Sequence, residues 1–94
     1  MSAIQDMEDY VRNNGGKYSE WYAGIATDPD YTLFTRHNVD RVTGKKIYRT
    51  FSTDTQARQV EKYFLDKGCA GDDGGGDSST KSAYLYKETS TTRR

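Results

Sequence analysis

Apolar residues in the first part of the chain recur at helical spacing. Ile4, Met7 and Val11 share one face, Ser2 stands at an N-cap position, and Asp6, Glu8 and Asp9 lie near the electropositive end. Asn13-Asn14-Gly15-Gly16 ends that helix. Trp21 to Thr27 is a short, nearly continuous apolar run, the pattern of a strand buried on both faces. Gly24 inside it predicts either a bulge or something large lying close to the backbone. Asp28-Pro29 reads as N-cap and first position of a short second helix, with Leu33, Phe34 and His37 on one side. Thr43-Gly44-Lys45 forms a turn into a strand from Lys46 to Phe51, where Ile47, Arg49 and Phe51 point one way and Tyr48 and Thr50 the other. In the third helix Thr53 and Gln56 form a capping box, and Ala57, Val60, Phe64 and Leu65 form the apolar stripe. Gly68 stands where a C-terminal cap belongs. Residues 68–82 are rich in Gly, Asp and Ser, Ala83 to Lys87 alternates as a last strand, and residues 89–94 are a polar tail expected to fray.

The order α-β-α-β-α-β predicts an α/β (α+β) domain: a small mixed three-stranded sheet flanked by three helices. The 20–27, 46–51 and 82–88 segments supply the strands, and the two inner strands are expected to be neighbours. The reading is one domain over residues 1–94, with an ordered core from about residue 2 to 88 and a flexible loop at 70–81. Eight Tyr, three Phe and one Trp are many for 94 residues, and Tyr suits a small core whose edges reach water. The sequence has no apolar run long enough to span a bilayer, and its acidic, amphipathic start does not read as a secretion signal. A lone Cys69 can form no internal disulfide, which fits a cytoplasmic protein.

Formal net charge is zero, but its distribution is uneven. Between residues 36 and 62 the seven bases Arg36, Arg41, Lys45, Lys46, Arg49, Arg58 and Lys62 face three acids, a local excess of four. That predicts either a basic, nucleic-acid-binding face or an ordinary solvated one.

Glu61 is the most informative residue. Four after Ala57 and three before Phe64, it falls inside the apolar stripe of its helix. A carboxylate there is either half of an ion pair, with Arg49 or Arg36 as partner, or a functional group lining a pocket. His37, the one histidine, is either a structural cap or a catalytic group. Asp72, Asp73 and Asp77 sit among five glycines, but the spacing fits neither an EF-hand nor a phosphate-binding loop, so the segment reads as a solvated loop that binds no ion. Cys69 follows a helix C-terminus, where the dipole disfavours a thiolate, and is not a candidate nucleophile.

Taken together, Trp21-Tyr22-Ala23-Gly24-Ile25-Ala26 resembles the second half-motif of GIY-YIG nuclease domains, a strand reading Tyr-Ile/Val-Gly-x-Thr. In that family a helix bearing an Arg and often a His follows, then a strand, then a helix whose inward Glu holds one divalent metal. Tyr22, Gly24, His37, the 46–51 strand and Glu61 within Ala57-Arg58-Gln59-Val60-Glu61 stand in that order, so the resemblance covers about residues 20–67. Two departures stand beside it. No Gly-Ile-Tyr strand lies upstream, a place that Ala83-Tyr84-Leu85-Tyr86 is expected to fill from the other end of the chain. Thr32-Leu33 stands where the helix carries its Arg, with Arg36 about a turn away.

The resemblance implies binding of DNA or RNA through Arg41, Lys45, Lys46, Arg49, Arg58 and Lys62. Any cleavage is implied to be that of a weak or degenerate endonuclease dependent on Mg²⁺ or Mn²⁺. Glu61 would hold the metal, Tyr22 or His37 would activate water, and Arg36 or Arg49 would face the phosphate. The competing expectation is a non-catalytic protein-interaction module, of the kind phages and mobile elements carry as accessory proteins, using an exposed Tyr-rich surface. A concave site joining Tyr22, His37 and Glu61 separates the first from the second.

Overall fold

The computed structural model describes residues 2–72 and 75–94. In chain order the elements are α1 (Ala3–Asn13), a 3₁₀ turn (Tyr18–Glu20), β1 (Trp21–Ala26), α2, β2 (Lys46–Thr50), α3 (Asp54–Lys67) and β3 (Ser82–Lys87). The second helix, α2, opens as one α-turn, Pro29–Tyr31, and runs on as a π-helix, Thr32–Arg36. Local chemistry sets the boundaries. Ser2 Oγ accepts from the Gln5 amide at 3.0 Å, and Asp28 Oδ1 accepts from the Tyr31 amide at 3.2 Å with Pro29 behind it. Thr53 Oγ1 accepts from the Gln56 amide, but Gln56 returns its bond to the Ser52 amide, one residue further out than a capping box requires. Gly68 closes α3 at φ +117°, in the left-handed region where a β-carbon is penalised.

The three strands form one sheet in the order β1-β3-β2, and both pairings are antiparallel. The expected α/β domain of three helices and a three-stranded sheet is therefore present, but the sheet is wholly antiparallel rather than mixed, and β1 and β2 are not neighbours. The last strand lies between the other two, and β1 and β2 are the edges. Antiparallel neighbours need no crossover helix between them, so the final strand can enter the middle of a sheet whose edges were made earlier in the chain.

The period of two then divides the side chains between two faces. Ala23, Leu85 and Ile47 lie in one cross-strand row, on the face covered by α1 and α3 through Met7, Val11, Val60 and Phe64. Each such large apolar side chain contributes about 1.5–3 kcal/mol on leaving water. On the other face, Tyr22, Tyr86 and Lys46 form one row and Gly24, Tyr84 and Tyr48 the next. Leu33 and Val39, from α2 and the turn after it, pack there with Ala26, Tyr84 and Tyr86. Among the described residues, no helix is long and apolar enough to cross a membrane.

Two segments expected to be loose are tied down. The amide of Arg93 donates to the carbonyl of His37 at 2.7 Å, and Asn38 Nδ2 donates to the Thr91 carbonyl at 2.9 Å, so residues 89–94 return to the end of α2 rather than fraying. The 70–81 loop is anchored at both ends. Ala70 pairs with β1, its amide donating to Trp21 and its carbonyl accepting from Ala23, while buried Thr80 shares a hydroxyl hydrogen bond with Thr27 at 3.2 Å. Of the loop carboxylates proposed as ion-free, Asp73 lies outside the described residues, and Asp77 is engaged by the amide and hydroxyl of Ser79.

Candidate functional site

The α2 face of the sheet opens at one end into a cleft of about 690 Å³. Its walls come from four separate parts of the chain: Tyr22, Ile25, Ala26 and Thr27 of β1 and its exit, Thr32, Arg36 and His37 of α2, Asp72 and Thr80 of the loop, and Tyr84 of β3, with Arg94 at the rim. Wide hydrogen bonds shape the α2 wall. The His37 amide reaches back five residues to the Thr32 carbonyl at 3.0 Å, and the Val39 amide six residues to Leu33. Helical turns of this width are rare and frequently lie at functional sites. Asn38, at φ +56°, then turns the chain away; Asn is among the few residues that tolerate that conformation.

His37 is the hub. Its Nε2 lies 2.7 Å from the Tyr84 hydroxyl, its Nδ1 lies 2.7 Å from the Arg93 carbonyl oxygen, and the Tyr86 hydroxyl sits 3.1 Å from both Nδ1 and that carbonyl. Three rings enclose the imidazole, with centroids at 4.9 Å for Tyr22, 4.8 Å for Tyr86 and 5.5 Å for Tyr84. Burial lowers the pKa of His37 below its ordinary value, against the opposing pull of the Arg93 carbonyl. Burial likewise raises Tyr84 and Tyr86 well above the ordinary phenol, with the neighbouring phenols and Glu61 adding to the Tyr84 shift. Tyr84 is therefore a neutral hydroxyl, and His37 the more basic partner of the pair.

Gly24 is explained by the same geometry. A β-carbon there would come within 2.9 Å of Tyr84 Cε2 and nearer still to its hydroxyl. Of the two alternatives its place in the strand allowed, the second holds: an aromatic ring lies against the backbone. The space beside Gly24 is filled by Tyr84, leaving none there for a metal or phosphate.

Glu61 points inward as its spacing requires and is 2% exposed. It is not among the cleft-lining residues. Its charge nonetheless reaches the cleft, raising the pKa of both Tyr22 and Tyr84. Burial is the largest cause of the Tyr22 shift, followed by the negative charge of Asp72. Among the described residues no group of three His, Cys, Asp or Glu side chains converges to hold a metal. The donor set suits only a hard cation that keeps most of its waters and takes one or two carboxylates plus a substrate oxygen, as Mg²⁺ or Mn²⁺ does. Glu61, which the resemblance names for that role, is buried and lies outside the cleft lining.

The seven bases do not form one surface. Arg36 lines the cleft. Arg41 and Lys46 cap the Phe34 ring, at 4.2 Å and 5.5 Å from its centroid, on the same side of the sheet, and Lys45 is exposed in the turn before β2. On the opposite side Arg49 pairs with Asp6 at 3.5 Å, Arg58 with Asp54 at 3.2 Å and Lys62 with Asp66 at 3.7 Å. The basic face is thus reduced to Arg36, Arg41, Lys45 and Lys46. Arg49 faces α1, so of the two arginines considered for phosphate contact only Arg36 reaches the cleft.

Sequence reasoning missed Tyr84, Tyr86 and Arg94. The alternation in residues 83–87 already places both tyrosines on one face, but which face meets α2 depends on the strand pairing. Cys69 is buried and its thiol is pushed up to about 12 by desolvation, in keeping with its exclusion as a nucleophile. No protein-family model matches this chain, and neither a curated protein nor a solved structure matches it.

Proposed function

We propose that this domain binds nucleic-acid phosphodiesters in the Tyr22–His37–Tyr84 cleft and is a GIY-YIG-like endonuclease in active or degenerate form, housed in the cytoplasm. The observation that carries the reading is the Tyr84–His37 hydrogen bond of 2.7 Å in the wall of a cleft that also holds Arg36 and Tyr22. A hydroxyl and an imidazole so joined can relay a proton. Water gives its proton to the Tyr84 oxygen as the Tyr84 proton passes to His37 Nε2, so the phenol need not ionise and His37 acts as the base. Arg36 offers positive charge and planar donors to the phosphate, where negative charge grows in the transition state, while Arg94 at the rim is already engaged by the Glu88 carboxylate. The half-buried Tyr22 ring lies tilted against the imidazole, with centroids 4.9 Å apart. A divalent cation, when bound, supplies Lewis-acid stabilisation of the phosphate oxygens.

The test is direct. Labelled single-stranded and duplex DNA and RNA are titrated with the protein at low salt, with and without Mn²⁺, and scored for binding and scission. The reading expects salt-sensitive binding, weakened by Arg36→Ala, and Mn²⁺-dependent scission lost in His37→Ala. Binding to none of the four, or binding indifferent to Arg36→Ala and Lys46→Ala, overturns it.

One observation favours the protein-interaction reading instead. Phe34, Tyr48, Leu33 and Ile47 line a second cleft of about 470 Å³ against the outer strand β2, where Tyr48 is exposed. Loss of partner capture on Tyr48→Ser, with no nucleic-acid binding, would favour it. Against it, Tyr22 and His37 share a concave cleft with buried Tyr84, although Glu61, the third member that the first reading called for, does not line it.

A further inference from the structure

We propose that the chain segment after β3 is a positioning element of the site. Its main chain at Arg93 holds His37 in the Nδ1–H tautomer, leaving Nε2 as the acceptor that faces Tyr84. The role in proton relay rests on the functional reading above; the tautomer does not.

The Arg93 carbonyl can only accept, and it lies 2.7 Å from His37 Nδ1. Two lone pairs at that separation repel, so Nδ1 carries a proton. The Tyr86 hydroxyl, 3.1 Å from the same carbonyl, donates to it as well and so does not compete for the proton on Nδ1. A neutral imidazole protonated at Nδ1 has a bare Nε2. Tyr84, 2.7 Å away, must then be the donor in that bond. A doubly protonated ring would also satisfy the Arg93 carbonyl, but His37 is 93% buried within three aromatic rings, which opposes a second charge there. The carbonyl is itself held in place. The Arg93 amide donates back to the His37 carbonyl at 2.7 Å, so the two residues are joined at both main chain and ring, and Asn38 Nδ2 grips Thr91 at 2.9 Å. The same orienting logic operates wherever a third group fixes which nitrogen of a catalytic histidine is free. In water an unconstrained imidazole favours the opposite, Nε2–H tautomer, so the segment reverses a default.

The experiment is long-range ¹H–¹⁵N spectroscopy of the imidazole, which reads each nitrogen as protonated or bare, on the full chain at a pH above the His37 titration. His37 is the one histidine, so assignment is immediate. A protonated Nδ1 and bare Nε2 are expected. Arg93→Ala leaves the main chain in place and should leave the spectrum unchanged. Deletion of residues 91–94 should move the ring to the Nε2–H form or to a mixture, with far-ultraviolet circular dichroism unchanged. Asn38→Gly keeps the left-handed backbone and removes only the grip on Thr91, and should give a partial shift even if the deletion unfolds the chain. A bare Nδ1 in the full chain overturns the proposal. So does a folded deletion variant with an unchanged tautomer. If the spectra come out as expected but no nucleic acid is bound, the positioning stands and the functional reading fails.

Discussion

The ring of Tyr84 lies across Gly24 on the neighbouring strand, occupying the volume where a side chain at position 24 would begin. The missing β-carbon lets the phenol lie low enough for its hydroxyl to reach His37. Strand β1, strand β3 and the end of α2 are thereby joined at one point.

Gly24→Ala is expected to destabilise the domain by about 1–3 kcal/mol, the ordinary cost of forcing a methyl group into a packed site. Chemical denaturation measures it. In the Tyr84→Ala background the same change should cost much less, because the clash partner is gone. Additive effects in that double-mutant cycle would show that the two residues do not interact.

Tyr84→Phe keeps the ring and removes the donor, leaving His37 Nε2 buried without its partner. The expected loss is about 1–3 kcal/mol, with any strand-scission activity lost as well. Tyr86→Phe should cost less, since the Arg93 carbonyl keeps its shorter bond from His37 Nδ1. Equal losses in the two variants, measured by urea unfolding at neutral pH, would refute the ordering.

Stability should fall on mild acidification through His37. Its pKa is lower folded than unfolded, because burial penalises the charged ring. Between those two values the unfolded chain binds more protons, so unfolding free energy rises with pH across that window. The contribution is fully present above the ordinary histidine value near 6.5 and is lost as pH falls through the lower, folded one. Urea midpoints from pH 7.5 downward should show this slope in the parent chain, and His37→Gln should flatten it. An identical slope in both would place the effect elsewhere.

Glu61→Gln preserves shape and removes a buried charge. If the carboxylate serves a divalent cation, Mn²⁺ should stabilise the parent chain and not the variant, with metal-free stability similar. A loss of about 3–5 kcal/mol, with the Mn²⁺ response unchanged, would instead mark Glu61 as part of a structural ion pair. Thermal melts of both chains with and without Mn²⁺ decide between the two.

What the sequence determined by itself was whatever depends on near neighbours in the chain. Ser2, Asp28, Thr53 and Gly68 mark the helix ends because caps are made within three or four residues. Glu61 could be placed inside by counting along α3, and Ile47 and Arg49 assigned to the face opposite Tyr48, since both periods are local. Gly24 was legible as either a bulge or a close approach, and only the fold decided for the approach and supplied Tyr84 as the neighbour. Tertiary structure decided everything that required two distant segments to meet. The strand order β1-β3-β2 is a matter of pairing, which residue spacing does not encode, and it alone puts Tyr84 between Gly24 and Tyr48. The division of the basic residues between two sides of the sheet follows from which helix covers which face, α3 on one side and α2 on the other. The return of Arg93 to His37, 56 residues away in sequence, rests on the main-chain N–H and C=O of Arg93, groups that every residue carries. Such bonds leave no mark on residue type, so a polar tail and a positioning segment look alike until the chain is folded.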